Sequence, residues 1–90
     1  MAQESKKRIS IEAKLIRTEI AGGISLDPRK RMKFYHYFSG DDGKYYTTNE
    51  TSKALHTERV ILSGYISGFT RGVDGQVYFR ILRPLFKEVR

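Results

Sequence analysis

From Ile9 onward the chain alternates apolar and polar residues in steps of two, and a period of two builds strands. Ile9, Ile11, Ala13 and Leu15 fall on one face, and Ser10, Glu12 and Lys14 fall on the other. The phase then slips by one residue, and Ile16, Thr18 and Ile20 carry the alternation on. Such a slip inside a long strand predicts a bulge that bends it. Abundant isoleucine and the Gly22-Gly23 stop argue against a helix over the same stretch.

The remaining chain divides at its turn residues. Gly22-Gly23 and Asp27-Pro28 place a loop over residues 21–31, ending in Arg29, Lys30 and Arg31. A second strand is expected over 32–38, where Phe34, Tyr35, Tyr37 and Phe38 favour extended backbone. A Gly/Asp turn over 39–43 returns the chain into a third strand over 44–48. Residues 49–56 read as one short helix, capped by Asn49 or Thr51 and propagated by Lys53, Ala54 and Leu55. In a fourth strand over 59–69, Val60, Leu62 and Ile66 share a face, while Gly64 and Gly68 mark bends. Asp74-Gly75 turns the chain into a fifth strand over 76–86, with Val77, Phe79 and Ile81 inward and Tyr78, Arg80 and Leu82 outward. Pro84 makes the end of that strand an edge.

The fold class is therefore all-β: a small five-stranded Greek-key barrel with one short helix between strands three and four. Residues 1–8 read as a flexible basic arm and 9–90 as a single β-barrel domain. This order of elements resembles the OB-fold, with SH3-like barrels as the structural rival. A core drawn from 90 residues is small, so self-association into a homo-oligomer would add useful burial.

Catalytic patterns are thin. His36 and His56 have no partners at metal-ligand spacing, and there is no cysteine to form a disulfide or hold zinc. Asp41 and Asp42 sit in a turn that uses Asp for its own geometry. The stretch from Gly72 to Gly75 lacks the spacing of a phosphate loop. The expectation is a binding protein with no catalytic residue, metal or cofactor. Residues 1–10 are polar and lack the apolar stretch of a secretory leader, so a cytoplasmic, reducing location is expected.

The formal net charge of +7 points to a polyanionic partner: nucleic acid first, an acidic protein second. No basic amphipathic helix is evident, which sets a membrane surface aside. Single-stranded nucleic acid needs cations along its phosphates and flat apolar surfaces for its bases. Lys33, Tyr35 and Tyr37 share one face of the second strand, opposite Met32, Phe34, His36 and Phe38. A buried phenol must find a hydrogen-bond partner, so the phenylalanines are assigned inward and the tyrosines outward. An OB-fold holds its ligand across strands two and three, between the loops joining strands one to two and four to five. The first of those loops carries Arg29, Lys30 and Arg31, and the second begins with Arg71.

Gly64-Tyr65 through Phe69, the turn from Gly72 to Gly75, and the run from Val77 to Arg83 together resemble the helix-destabilising single-stranded DNA-binding proteins of filamentous phages. The resemblance covers residues 64–83. It implies a small, basic, cysteine-poor barrel that binds strands through tyrosines and basic residues on a hairpin. The expected function is sequence-tolerant binding of single-stranded nucleic acid, DNA ahead of RNA. Arg29, Lys30, Arg31, Lys33, Arg71 and Arg80 are assigned to phosphates, and Tyr35, Tyr37 and Tyr78 to bases. The alternative is a small protein-interaction module, such as a phage or mobile-element inhibitor that docks on an acidic partner protein.

Overall fold

A computed structural model describes residues 8–21 and 32–89. Five strands follow one another: β1 (Arg8–Ala21), β2 (Lys33–Gly40), β3 (Tyr45–Thr48), β4 (Arg59–Arg71) and β5 (Val77–Glu88). They close into a barrel in the order β1-β2-β3-β5-β4. Every pairing is antiparallel except the short β3–β5 contact, which is parallel and runs from Tyr46 opposite Phe79 to Thr48 opposite Ile81. This topology is consistent with an OB-like barrel.

The first strand can serve two neighbours because it bends. Residues 8–14 of β1 pair with β4, and residues 13–21 pair with β2. The β1–β2 register jumps between Leu15 and Arg17, so Ile16 is the extra residue of a bulge. That is the position of the phase slip. Beyond it the odd-numbered residues Arg17 and Glu19 turn outward, beside Tyr37 and Tyr35.

The core comprises Ala13, Phe38, Tyr46, Val60, Leu62 and Ile81, with Ile9, Ile11, Leu15, Leu55, Ile66, Phe79 and Phe86 packed around it. Tyr46 is the one phenol in this set. Its hydroxyl donates to Asp42 of the β2–β3 turn, which meets the polar requirement at the barrel end. On β2, Phe38 and His36 are buried, while Tyr35 and Tyr37 lie half-buried on the outer face.

Two expectations are corrected. The short helix over 49–56 is not formed. Thr51 instead exchanges both backbone hydrogen bonds with Phe34, at 2.7 and 3.0 Å, and so makes an isolated bridge to β2. The Asn49 N–H donates to the Ile81 carbonyl and the His56 N–H to Glu88. The Thr51 hydroxyl accepts from the Lys53 N–H, a local turn bond that competes with helix. Long-range partners thus take the backbone groups that a helix would use, and Leu55 is drawn against the core as an apolar plug.

Pairing also continues past Pro84. Leu85 to Glu88 run opposite Ser63 to Val60, after a register jump across Ser63 and Tyr65. Pro84 sits at that jump beside Arg83, whose φ is 50°, where no ladder N–H is required. Gly64 faces the same jump at φ 155°. A Cβ there would collide with Ile81 Cγ2 and come within 2.7 Å of the Leu82 carbonyl oxygen. Gly64→Ala is therefore expected to cost about 2–3 kcal/mol, from overpacking against backbone together with the left-handed φ. A denaturant midpoint unchanged from the parent would contradict this.

Candidate nucleic-acid interface

The outer face of the sheet is built from direct cross-strand neighbours. Arg17 of β1 lies opposite Tyr37 of β2, and Tyr37 lies opposite Thr47 of β3. Thr47 lies opposite Arg80 of β5, and Arg80 opposite Gly68 of β4. One row thus crosses all five strands. It ends on a residue with no side chain, and nothing lies within 4 Å of where a Gly68 Cβ would be. A second row pairs Glu19 with Tyr35.

Curvature turns these rows into a cleft of about 600 Å³. Its walls are Tyr35, Tyr37 and Thr47 from the β2–β3 sheet, with Glu19 from the end of β1. Arg80 and Thr70 of the β4–β5 hairpin form the opposite side, and Thr48, Asn49 and Glu50 complete the wall where β3 ends. It lies beside the last residues of β1, the first half of β2 and the β4–β5 hairpin.

The polar groups of the cleft are already organised. The Tyr37 hydroxyl donates to Glu19 Oε1 at 3.0 Å, and the Tyr35 hydroxyl to Glu50 Oε1 at 3.4 Å. Burial and then the Glu19 hydrogen bond hold the Tyr37 phenol above its usual pKa, so it remains a donor. The Thr47 hydroxyl donates to the His36 carbonyl at 3.0 Å. The Arg17 guanidinium lies 4.1 Å from the Tyr37 ring centre, and its Nε is 3.3 Å from Glu19. Its Nη1 is 3.8 Å from Asp74, which ties the tip of the β4–β5 hairpin to β1.

Of the residues assigned from sequence, Tyr35, Tyr37 and Arg80 come together in the cleft. Lys33 is exposed at the start of β2, on the same outer face. Arg71 follows Thr70 in extended backbone and so leaves β4 on the opposite face, where its Nη1 donates to the Gly75 carbonyl at 3.0 Å. Arg29, Lys30 and Arg31 lie outside the described residues.

Tyr78 requires a correction. It points outward as expected, yet it is 1% exposed and offers no ring face to a base. The rings of Tyr37 and Tyr45 meet it edge-on, with centroids at 5.1 and 5.7 Å. Asp74 accepts its hydroxyl at 3.0 Å, and the hairpin backbone at Gly72 closes over it so tightly that a Cβ there would lie 2.8 Å from Tyr78 Cε1. Tyr78 is thus the floor beneath the outer face.

Residue reading alone missed Arg17, Glu19, Thr47, Thr48, Asn49, Glu50 and Thr70. The slip at Ile16 already placed Arg17 and Glu19 out of phase with the core positions. Their neighbours became apparent only with the β1–β2 register. Among the described residues, no three histidine or carboxylate side chains converge as a metal site would require. No family model matches the chain, and neither a curated protein nor a solved structure gives a match.

Proposed function

We propose that the concave outer face binds single-stranded nucleic acid, with unpaired bases seated in the cleft and phosphates along its basic margin. The observation that carries this reading is the convergence of Tyr35, Tyr37 and Arg80 in an open cleft beside the β4–β5 hairpin. Tyr35 and Tyr37 supply aromatic surface, and Arg17 against Tyr37 supplies a planar cation on which a base can also stack. Arg80 in the cleft wall and Lys33 on the same outer face are assigned to phosphates, as are, from sequence alone, Arg29, Lys30 and Arg31. A fold-level analogy to OB barrels supports the location but not the ligand.

The test is oligonucleotide affinity across a salt series. Five cations on phosphates give a log–log slope of about −3.5, at roughly −0.7 per contact for single strands. Replacing Arg29, Lys30 and Arg31 together by Ala should make that slope shallower by about 2. Duplex of the same length should bind more weakly, because its bases are not free to enter the cleft. Affinity that ignores salt, or a basic surface that captures one acidic protein without competition from oligonucleotide, would replace this reading with the protein-docking one.

A further inference from the structure

The hydrogen-bond inventory of the cleft is lopsided. Tyr35 and Tyr37 have directed their only hydroxyl protons to Glu50 and Glu19, so their phenol oxygens face the cleft as acceptors. The Thr47 proton is held by the His36 carbonyl, which leaves its oxygen an acceptor too. Ionised Glu19 and Glu50 accept only, and each carboxylate has lone pairs beyond those that the tyrosines and Arg17 occupy. Against these acceptors stand the Arg80 guanidinium, the one cation among the described residues of the lining, and the Asn49 amide. A uniformly phosphate-binding groove would not carry two carboxylates, since they repel the backbone that it must hold.

On the single-strand reading above, we infer that the cleft selects guanine over the other bases. Guanine presents two adjacent donors, N1–H and the N2 amino group, which a carboxylate accepts in bidentate fashion. Adenine and cytosine each bring one amino group beside an acceptor. Thymine brings a single N3–H flanked by two carbonyl oxygens, which face the carboxylates unfavourably. Stacking on the tyrosines tolerates any base, so the discrimination rests on Glu19 and Glu50.

The experiment is fluorescence anisotropy with labelled oligothymidine of fixed length carrying one central guanine, adenine or cytosine, or none. An isolated guanine cannot build a quadruplex, so the comparison reports base contact alone. The guanine probe is expected to bind roughly fivefold or more tightly than plain oligothymidine, with adenine and cytosine between them. Glu50→Gln should reduce that ratio, and Glu19→Gln with Glu50→Gln should abolish it. Oligothymidine affinity should rise in both variants, as repulsion of phosphate is relieved. Melting curves on the same samples verify that each variant is folded; Glu50→Gln serves if loss of the Glu19–Arg17 pair unfolds the double variant. Equal affinity for all four probes overturns the selectivity while leaving single-strand binding intact. A guanine preference that survives the carboxylate substitutions overturns the assignment to Glu19 and Glu50. Failure to bind any probe overturns the single-strand reading itself.

Discussion

Tyr78→Ala is expected to destabilise the protein by about 3–5 kcal/mol, as truncation of a fully buried aromatic does. Its ring is the common contact of Tyr37 and Tyr45, and its hydroxyl anchors Asp74 in the β4–β5 turn. For a domain of this size the loss corresponds to a fall in Tm of roughly 15–30 °C. Total stability for such a chain is only about 5–13 kcal/mol, so the loss removes roughly a quarter of it or more. Tyr78→Phe removes the hydroxyl alone and should cost about 1 kcal/mol. Tyr35→Ala should behave in the opposite way, because its half-buried ring lines the cleft and its hydroxyl partner Glu50 is exposed. There the Tm should stay near that of the parent, while oligonucleotide affinity falls by about 1–3 kcal/mol per stacked base. Melting temperature and affinity measured on the same samples separate floor from contact surface. A Tyr78→Ala variant with parental Tm and weakened binding would return Tyr78 to the binding face.

The second large effect concerns His36. This ring is 1% exposed and lies between Phe34, at a centroid distance of 5.8 Å, and Phe86, at 5.6 Å. Nε2 is 2.7 Å from the Lys53 carbonyl oxygen, which only accepts, so Nε2 carries the proton. Nδ1 then accepts from the Thr18 hydroxyl at 2.8 Å. One neutral imidazole thereby joins β1, β2 and the irregular segment between β3 and β4. His36→Ala opens a cavity and orphans the Lys53 carbonyl, with an expected cost of about 3 kcal/mol or more.

Burial lowers the His36 pKa below its ordinary value, outweighing the Lys53 carbonyl bond, which acts the other way. The unfolded chain therefore binds the proton more readily than the folded one. The stability contributed by neutral His36 is complete above the unfolded pKa, about 6.5, and is lost as pH falls from there toward the folded value. One such group gives a slope of up to about 1.4 kcal/mol per pH unit in that window. Denaturant midpoints at descending pH should show this slope in the parent and lack it in His36→Gln, which has no titrating ring. An equal slope in both would assign the acid sensitivity to other groups.

The strands were legible because each carries its own alternation and is bounded by its own turn residues. The slip at Ile16 reports the β1 bulge in the sequence itself, since an inserted residue must shift the phase of every side chain after it. The same two-residue period separates Phe38 and His36 from Tyr35 and Tyr37, and the need of a buried phenol for a partner assigns the tyrosines outward. Segment 49–56 was misread because its local preferences are weak and its partners are remote. Phe34, Ile81 and Glu88 claim its backbone groups, and only closure of the barrel brings them near. Tyr78 was misread for a related reason: alternation tells which face a side chain leaves from, whereas the folding of the β4–β5 hairpin over that face decides whether it meets solvent. The carboxylates Glu19 and Glu50 lie 31 positions apart in the chain and enter one cleft only through the β1–β2 register and the bridge at Thr51. Local periodicity is a property of neighbouring residues and survives in the bare sequence. Register, coverage and the donor–acceptor balance of a cleft belong to pairs far apart in the chain, and they exist only once the five strands have closed.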